Sequence, residues 1–244
     1  MQNKLNNIYA FLKANRKYNK LIQVSAYQAA LMPYNTVPEK VYSLLHQILN
    51  SQSQVKMNKS AEFFQSISAN KNALNSFAGF LKAIGGNANT PLTFKALHLL
   101  LQGKPSWGNK TAALFVKAVY HCHIGYAKQL HFWKDVPTSI TKDDEMYLPV
   151  DAVINFIFKE MGNSCPNTFI GINNYIKKSL PNSDFDIWDD IWFWGFITQN
   201  SQNKKRVLAW NENKYWNLLN SSKDAKTIAE TEVLANEFIK IIKN

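Results

Sequence analysis

Gln102-Gly103-Lys104-Pro105-Ser106-Trp107-Gly108-Asn109-Lys110-Thr111-Ala112 is the stretch on which the fold turns. Apolar residues precede it from Leu97 to Leu101 and follow it from Ala112 onward at helical spacing. A tight Gly/Pro turn must therefore join two helices, with Gly103 expected to close the first as a left-handed cap. Small residues in such a turn let the helices pack closely. They also leave backbone N–H groups open at the start of the second helix, which makes an anion site. Lys110 stands in the first turn of that helix, beside the expected anion.

Outward from this hairpin the periodicity stays helical. Thr36-Val37-Pro38-Glu39 reads as a capping box with proline in the first turn, opening a helix over Val41 to Leu49. Phe77 to Ile84 ends at Gly85-Gly86, Thr90-Pro91 opens the helix that leads into the hairpin, and Gly108 or Asn109 opens one through Tyr126. Leu148-Pro149-Val150-Asp151 opens another that ends near Gly162, and further helices are expected over 165–179, 185–200, 204–220 and 223–243. Segment 127–147 reads as a loop with a short helical turn. Nothing alternates with period two, so the fold class is all-α. The expected arrangement is a single domain over 1–244, with two helical subdomains flanking a DNA cleft. In it the helical hairpin lies near 92–126, the Asp151 helix spans 149–161, and the N- and C-terminal helices pack together.

Composition narrows the function. The chain has 244 residues, room for one large domain or two small ones at roughly 100–200 residues each. Hydrophobic residues at 46% and charged residues at 18% make a globular chain. The cysteines are Cys122 and Cys165 alone, which excludes a disulfide scaffold, a four-cysteine zinc site and a four-cysteine iron–sulfur cluster. His121 and His123 bracket Cys122, but i, i+2 positions on a helix face different ways, so no metal site is expected there. No run of about 18 apolar residues exists to span a membrane. The N-terminus lacks a signal-type apolar core, so the cytoplasm, or the nucleoid of a prokaryote, is the expected location. Lys+Arg is 28 against Asp+Glu 17, a net charge of +11, which favours a polyanionic partner. Only Arg16 and Arg206 are arginine. Lysines contact phosphates as point charges, so backbone contact is expected over base-edge readout. Lys204-Lys205-Arg206 is a further phosphate-contact candidate.

Asp151 follows Pro149-Val150 at a helix N-cap, where the amides and the helix dipole favour a carboxylate. Taken with the hairpin, this order resembles the helix-hairpin-helix DNA glycosylases, whose motif joins a Gly/Pro loop to an aspartate. Their hairpin reads Leu-Pro-Gly-x-Gly-x-Lys-Thr-Ala. Here Lys104 replaces the leucine and Ser106 the first glycine, while Gly108, Lys110, Thr111 and Ala112 match, as does Pro149-Val150-Asp151. Leu45-His46-Gln47-Ile48-Leu49-Asn50-Ser51-Gln52-Ser53 resembles the family's Ile-Leu-Ser-Gln helix end, and the likeness covers roughly 40–160. Lys110 and Asp151 stand farther apart than in common members, which is similar to the archaeal-type 8-oxoguanine glycosylases. That branch carries a second lysine seven residues after the first, where Lys117 stands. It also has an Asp and a Trp four apart on a late helix, matched by Asp190 and Trp194.

The resemblance implies an abasic-site lyase as well as a glycosylase. Lys110, when neutral, would attack the anomeric carbon, and the imine so formed allows β-elimination of the 3′ phosphate. Asp151 would balance the charge building on the sugar. Lys104, Ser106, Trp107, Gly108 and Asn109 would hold the DNA backbone. Gln28, Phe63, Lys117, Asp190 and Trp194 would form the base pocket, with 8-oxoguanine as the expected base. No cofactor or metal is implied, and the expected partner is double-stranded DNA carrying a damaged base, bound by a monomer. A non-catalytic DNA-binding hairpin protein, a glycosylase for another damaged base, and a helical interaction protein with incidental charge stay open at this point.

Overall fold

The computed structural model describes residues 2–52, 54–162, 165–202, 205–218 and 221–244. Ser53 and Lys204 of the motifs above lie outside the described residues. Two compact units divide the chain: a terminal unit, Met1–Ser25 with Val150–Asn244, and a central unit, Ala26–Pro149. The chain opens with α1 (Gln2–Ala14) and α2 (Arg16–Leu31), and the boundary falls within α2. The central unit continues with α3 (Val37–Asn50), α4 (Met57–Ser68), α5 (Phe77–Ala83), α6 (Phe94–Gln102) and α7 (Asn109–His123). The terminal unit resumes with α8 (Ala152–Glu160), α9 (Phe169–Ser179), α10 (Phe185–Trp188) and α11 (Ile191–Ile197). A hairpin of β1 (Gln199–Gln202) and β2 (Lys205–Leu208), then α12 (Glu212–Trp216) and α13 (Ala225–Lys243), complete it. Among the described residues, the fold is all-α apart from that one two-stranded hairpin.

In the central unit, α3 starts where its capping box says it should. Glu39 Oε2 accepts the Thr36 backbone N–H at 3.0 Å, and the Thr36 side chain accepts from Glu39 N–H. The buried stripe Val41, Leu44, Leu45, Ile48 and Leu49 then faces the core at i, i+3, i+4 spacing. Trp107 packs on Phe63 and Phe115 with ring centroids at 5.2 and 5.9 Å, and Trp133 packs on Phe77 and Phe80 at 5.6 and 5.3 Å. Thr93, rather than Thr90, caps α6. Its hydroxyl accepts from Ala96 N–H at 3.1 Å, while Thr90 Oγ1 accepts from Asn87 N–H at 2.9 Å and closes the preceding turn. Helix α7 stops at His123, short of Tyr126, because the N–H groups of Ile124 and Gly125 both return to Tyr120 O.

Segment 127–147 is irregular beyond a 3-10 turn at Lys128–Leu130, yet it works on two helix ends. The Asp135 carboxylate accepts from the N–H groups of Phe77 and Ala78 at 2.7 and 2.9 Å, at the start of α5. Asp144 accepts from Phe94 and Lys95 at 3.0 and 2.8 Å, at the start of α6. Both therefore satisfy first-turn donors that have no intrahelical partner.

In the terminal unit, α1 and α13 pack together. Phe11 and Phe238 lie 5.4 Å apart, and Lys4 Nζ donates to Ile242 O at 2.9 Å. The expected helix over 165–179 starts at Phe169, where Thr168 Oγ1 accepts from Gly171 N–H at 3.1 Å. The expected helix over 185–200 is broken. Asp190 N–H and Trp192 N–H bond three residues back, to Ile187 O and Asp189 O, which tightens the chain between α10 and α11. The expected helix over 204–220 is also corrected, since β2 pairs antiparallel with β1 in the register Gln199↔Leu208 to Gln202↔Lys205. Side chains hold this hairpin rather than apolar alternation. Gln199 Nε2 donates to Val153 O at 2.9 Å, and Arg206 Nη1 donates to Ala152 O at 2.6 Å.

Candidate functional site

The hairpin turn between α6 and α7 builds a cleft in the central unit. Lys104 N–H returns to Leu101 O at 2.8 Å and Trp107 N–H to Lys104 O at 2.9 Å. Gly103 is right-handed, with φ −86°, so the expected left-handed cap is not there. The left-handed residue is Ser106, φ 66°. It occupies the position of the glycine that the resembling hairpins carry, and an L-residue there is strained. Its hydroxyl accepts from Ser60 Oγ at 3.1 Å and donates to Lys56 O at 3.4 Å, which ties the turn to α4.

Gly108 is the N-cap of α7 and no side chain caps this helix. A Cβ added at Gly108 would meet nothing within 4 Å among the described residues, so they leave the first turn of α7 open there. That space is a cleft of about 500 Å³, lined by Gln52, Ser60, Ser106 and Gly108 and by the amine-bearing Lys56, Lys59 and Lys104. Open N–H groups with the positive helix end and three lysines form a cradle for an anion. Lys59 also pairs with Glu62 on the surface at 2.9 Å. Sequence reading placed Lys104, Ser106 and Gly108 here and missed Gln52, Lys56 and Lys59. Trp107 lines the cleft at 3% exposure, and its indole Nε1 has no partner among the described residues. Asn109 gives its carbonyl to His98 Nε2 at 3.1 Å. Lys110 is half-buried in the first turn of α7, and Lys117, two turns on, is buried.

Asp151 anchors the site of the terminal unit. One carboxylate oxygen, Oδ1, accepts from Val153 N–H and Ile154 N–H at 2.8 and 3.0 Å, the hydrogen bonds of an N-cap. The other, Oδ2, accepts from Trp192 Nε1 at 3.1 Å. The Trp192 ring is half-buried and stacks on Phe196 at 5.1 Å and 11° between planes. Lys214 Nζ lies 5.1 Å from the centroid of the Phe196 ring, and burial together with the Arg206 charge pulls its amine below the usual lysine range. Gly195 brings α8 and α11 together, because a Cβ there would stand 2.4 Å from Ile157 Cδ1.

The base-pocket candidates divide between the units: Gln28, Phe63 and Lys117 in the central one, Asp190 and Trp194 in the terminal one. Gln28 is half-buried on α2. Phe63 has no exposed surface and belongs to the central core against Trp107. Trp194 has none either, because Phe11, Tyr18 and Phe193 surround it with centroids at 5.0, 5.4 and 4.9 Å. Both rings, expected to wall a pocket, are buried. Asp190 is 2% exposed and its oxygens are engaged by Asn19 Nδ2 at 2.7 Å and Arg16 Nε at 3.1 Å. Burial pushes its carboxyl up to about 7. Asn19 opposes this, nearby Asp189 adds to it and Arg16 opposes it. The half-exposed indole beside a carboxylate is thus Trp192. In Ile191-Trp192-Phe193-Trp194-Gly195-Phe196-Ile197 apolar residues go all the way round the helix, so no stripe distinguished one tryptophan from another.

Among the described residues, no group of three or more His, Cys, Asp and Glu could hold a metal ion, and no helix is long and apolar enough to cross a membrane. Comparison with protein-family models, with curated proteins and with solved structures finds no match for this chain.

Proposed function

We propose that this protein is a DNA glycosylase with abasic-site lyase activity that removes 8-oxoguanine. The cleft at the start of α7 carries the proposal. Open amides, Lys56, Lys59 and Lys104 make a cradle suited to the phosphates of a duplex, and the chain's +11 charge supplies the longer-range attraction. In the reaction, the Lys110 amine forms a bond to the anomeric carbon as the bond to the base breaks. The proton lost from the nitrogen neutralises the departing base, the ring oxygen takes a proton from water as the sugar opens to an iminium, and loss of the C2′ proton to water expels the 3′ phosphate. Asp151 carries the negative charge that offsets the cationic sugar. The choice of 8-oxoguanine rests on the resemblance to the archaeal-type branch, and another damaged base is the alternative.

A second reading is a non-catalytic DNA-binding protein. It is favoured by the cleft being built from lysines and amides that need no reacting group. Borohydride trapping on an 8-oxoguanine duplex separates the two. The glycosylase reading expects a covalent adduct that Lys110→Gln abolishes while duplex binding persists, and Asp151→Asn is expected to lose most base release. Binding that falls steeply with salt but yields no adduct and no base release selects the second reading. A flat salt response removes both, because each phosphate neutralised should contribute about −0.9 to the log–log slope.

A further inference from the structure

We propose that Trp192 is a positioning residue for Asp151, an inference that rests on the glycosylase reading. Two backbone amides fix Asp151 Oδ1 at the start of α8, and the Trp192 indole N–H fixes Oδ2 at 3.1 Å. With both oxygens tied, the carboxylate plane is set before any ligand arrives. An indole N–H suits this task because it only donates, and so it cannot compete for a proton at the carboxylate. The parallel stack on Phe196 at 5.1 Å holds the indole in turn. The backbone on which Asp151 rides is also pinned, since Gln199 and Arg206 bond the carbonyls of Val153 and Ala152. A charge held ready in this way needs no reorganisation when the sugar becomes cationic, and the benefit falls on the chemical step rather than on DNA affinity.

Trp192→Phe tests this, because it keeps a ring to stack on Phe196 and removes only the N–H. Single-turnover release of 8-oxoguanine from a duplex should slow by about 10- to 100-fold, while the Kd for the same duplex stays within about twofold. Added to Asp151→Asn, Trp192→Phe should cost nothing further, since residues acting as one unit do not add. Trp192→His, which retains a ring N–H, should recover part of the rate. A Trp192→Phe rate equal to wild type overturns the inference. So does a parallel loss of rate and affinity, which would make the ring only a structural support. Wild-type protein that binds the duplex but releases no base from 8-oxoguanine or other lesion duplexes overturns the glycosylase reading and the inference with it. That outcome is seen before any variant is made.

Discussion

The imidazole of His123 accepts the backbone N–H of Trp133 through Nε2 at 3.1 Å, and it accepts that of Phe132 at 3.3 Å. Its Nδ1 donates to Val119 O at 2.8 Å, so the ring is neutral with its proton on Nδ1. Burial pulls it down to about 4, despite the Val119 bond. The depressed value sets the sign. The stability it provides is present above the ordinary histidine pKa of 6.5 and is lost as pH falls towards 4. The central unit should lose roughly 3 kcal/mol over that window through this residue. Amide exchange at Phe132 and Trp133, corrected for intrinsic rates, should accelerate over the same range, and exchange independent of pH would contradict the assignment.

Asp190 has the opposite sign in the terminal unit. Its carboxyl rises from an ordinary 3.8 to about 7 through burial. A raised carboxyl favours the folded state while protonated, so this contribution is full below 3.8 and lost as pH climbs through 7. Carbon-13 titration of the Asp190 carboxyl should show a midpoint near 7, and a midpoint near 3.8 would refute it.

Ser106 should tolerate glycine better than alanine. Ser106→Gly relieves the left-handed backbone, worth about 1–2 kcal/mol, and gives up the contacts to Ser60 and Lys56. Ser106→Ala keeps the strain and loses the same contacts, at about 1 kcal/mol. Urea midpoints should run Gly at or above Ser, and Ser above Ala. An alanine variant more stable than the glycine variant would contradict this.

Asp135→Ala and Asp144→Ala should each destabilise the central unit by about 1–2 kcal/mol, the scale of a lost N-cap. Faster amide exchange should be confined first to Phe77 and Ala78 in one variant and to Phe94 and Lys95 in the other. Uniform change across the unit would show that the loop, not the cap, had been lost.

These two aspartates also show where sequence reading stops. Thr36 with Glu39, and Asp151 with Val153 and Ile154, are legible because cap and helix lie within three residues of each other. Asp135 and Asp144 serve helices dozens of residues earlier, and nothing in their neighbours signals it. The β1–β2 hairpin escapes for a similar reason. Gln199 and Arg206 hold it through carbonyls of α8, so its residues need no apolar alternation. The hairpin cleft was half legible: its turn residues form a motif, while Lys56 and Lys59 reach it only through folding. Trp192 differs from Trp194 in burial and in its bond to Asp151, properties that two residues on one apolar helix do not advertise.

Gly195 carries a consequence for how the acid site can change. With Ile157 Cδ1 only 2.4 Å from where a Cβ would be, and Val153 Cγ1 at 2.8 Å, the spacing of α8 and α11 is set by a missing methyl group. Asp151 heads one of those helices and Trp192 lies on the other. Any side chain at 195 must displace Ile157 Cδ1 and Val153 Cγ1, and whatever part of that strain the helices take up lengthens the contact between the two residues without altering either. The reach of the carboxylate is thus encoded at a position that bears no functional group. The smallest alteration there, a single carbon, is also the one that could retune it.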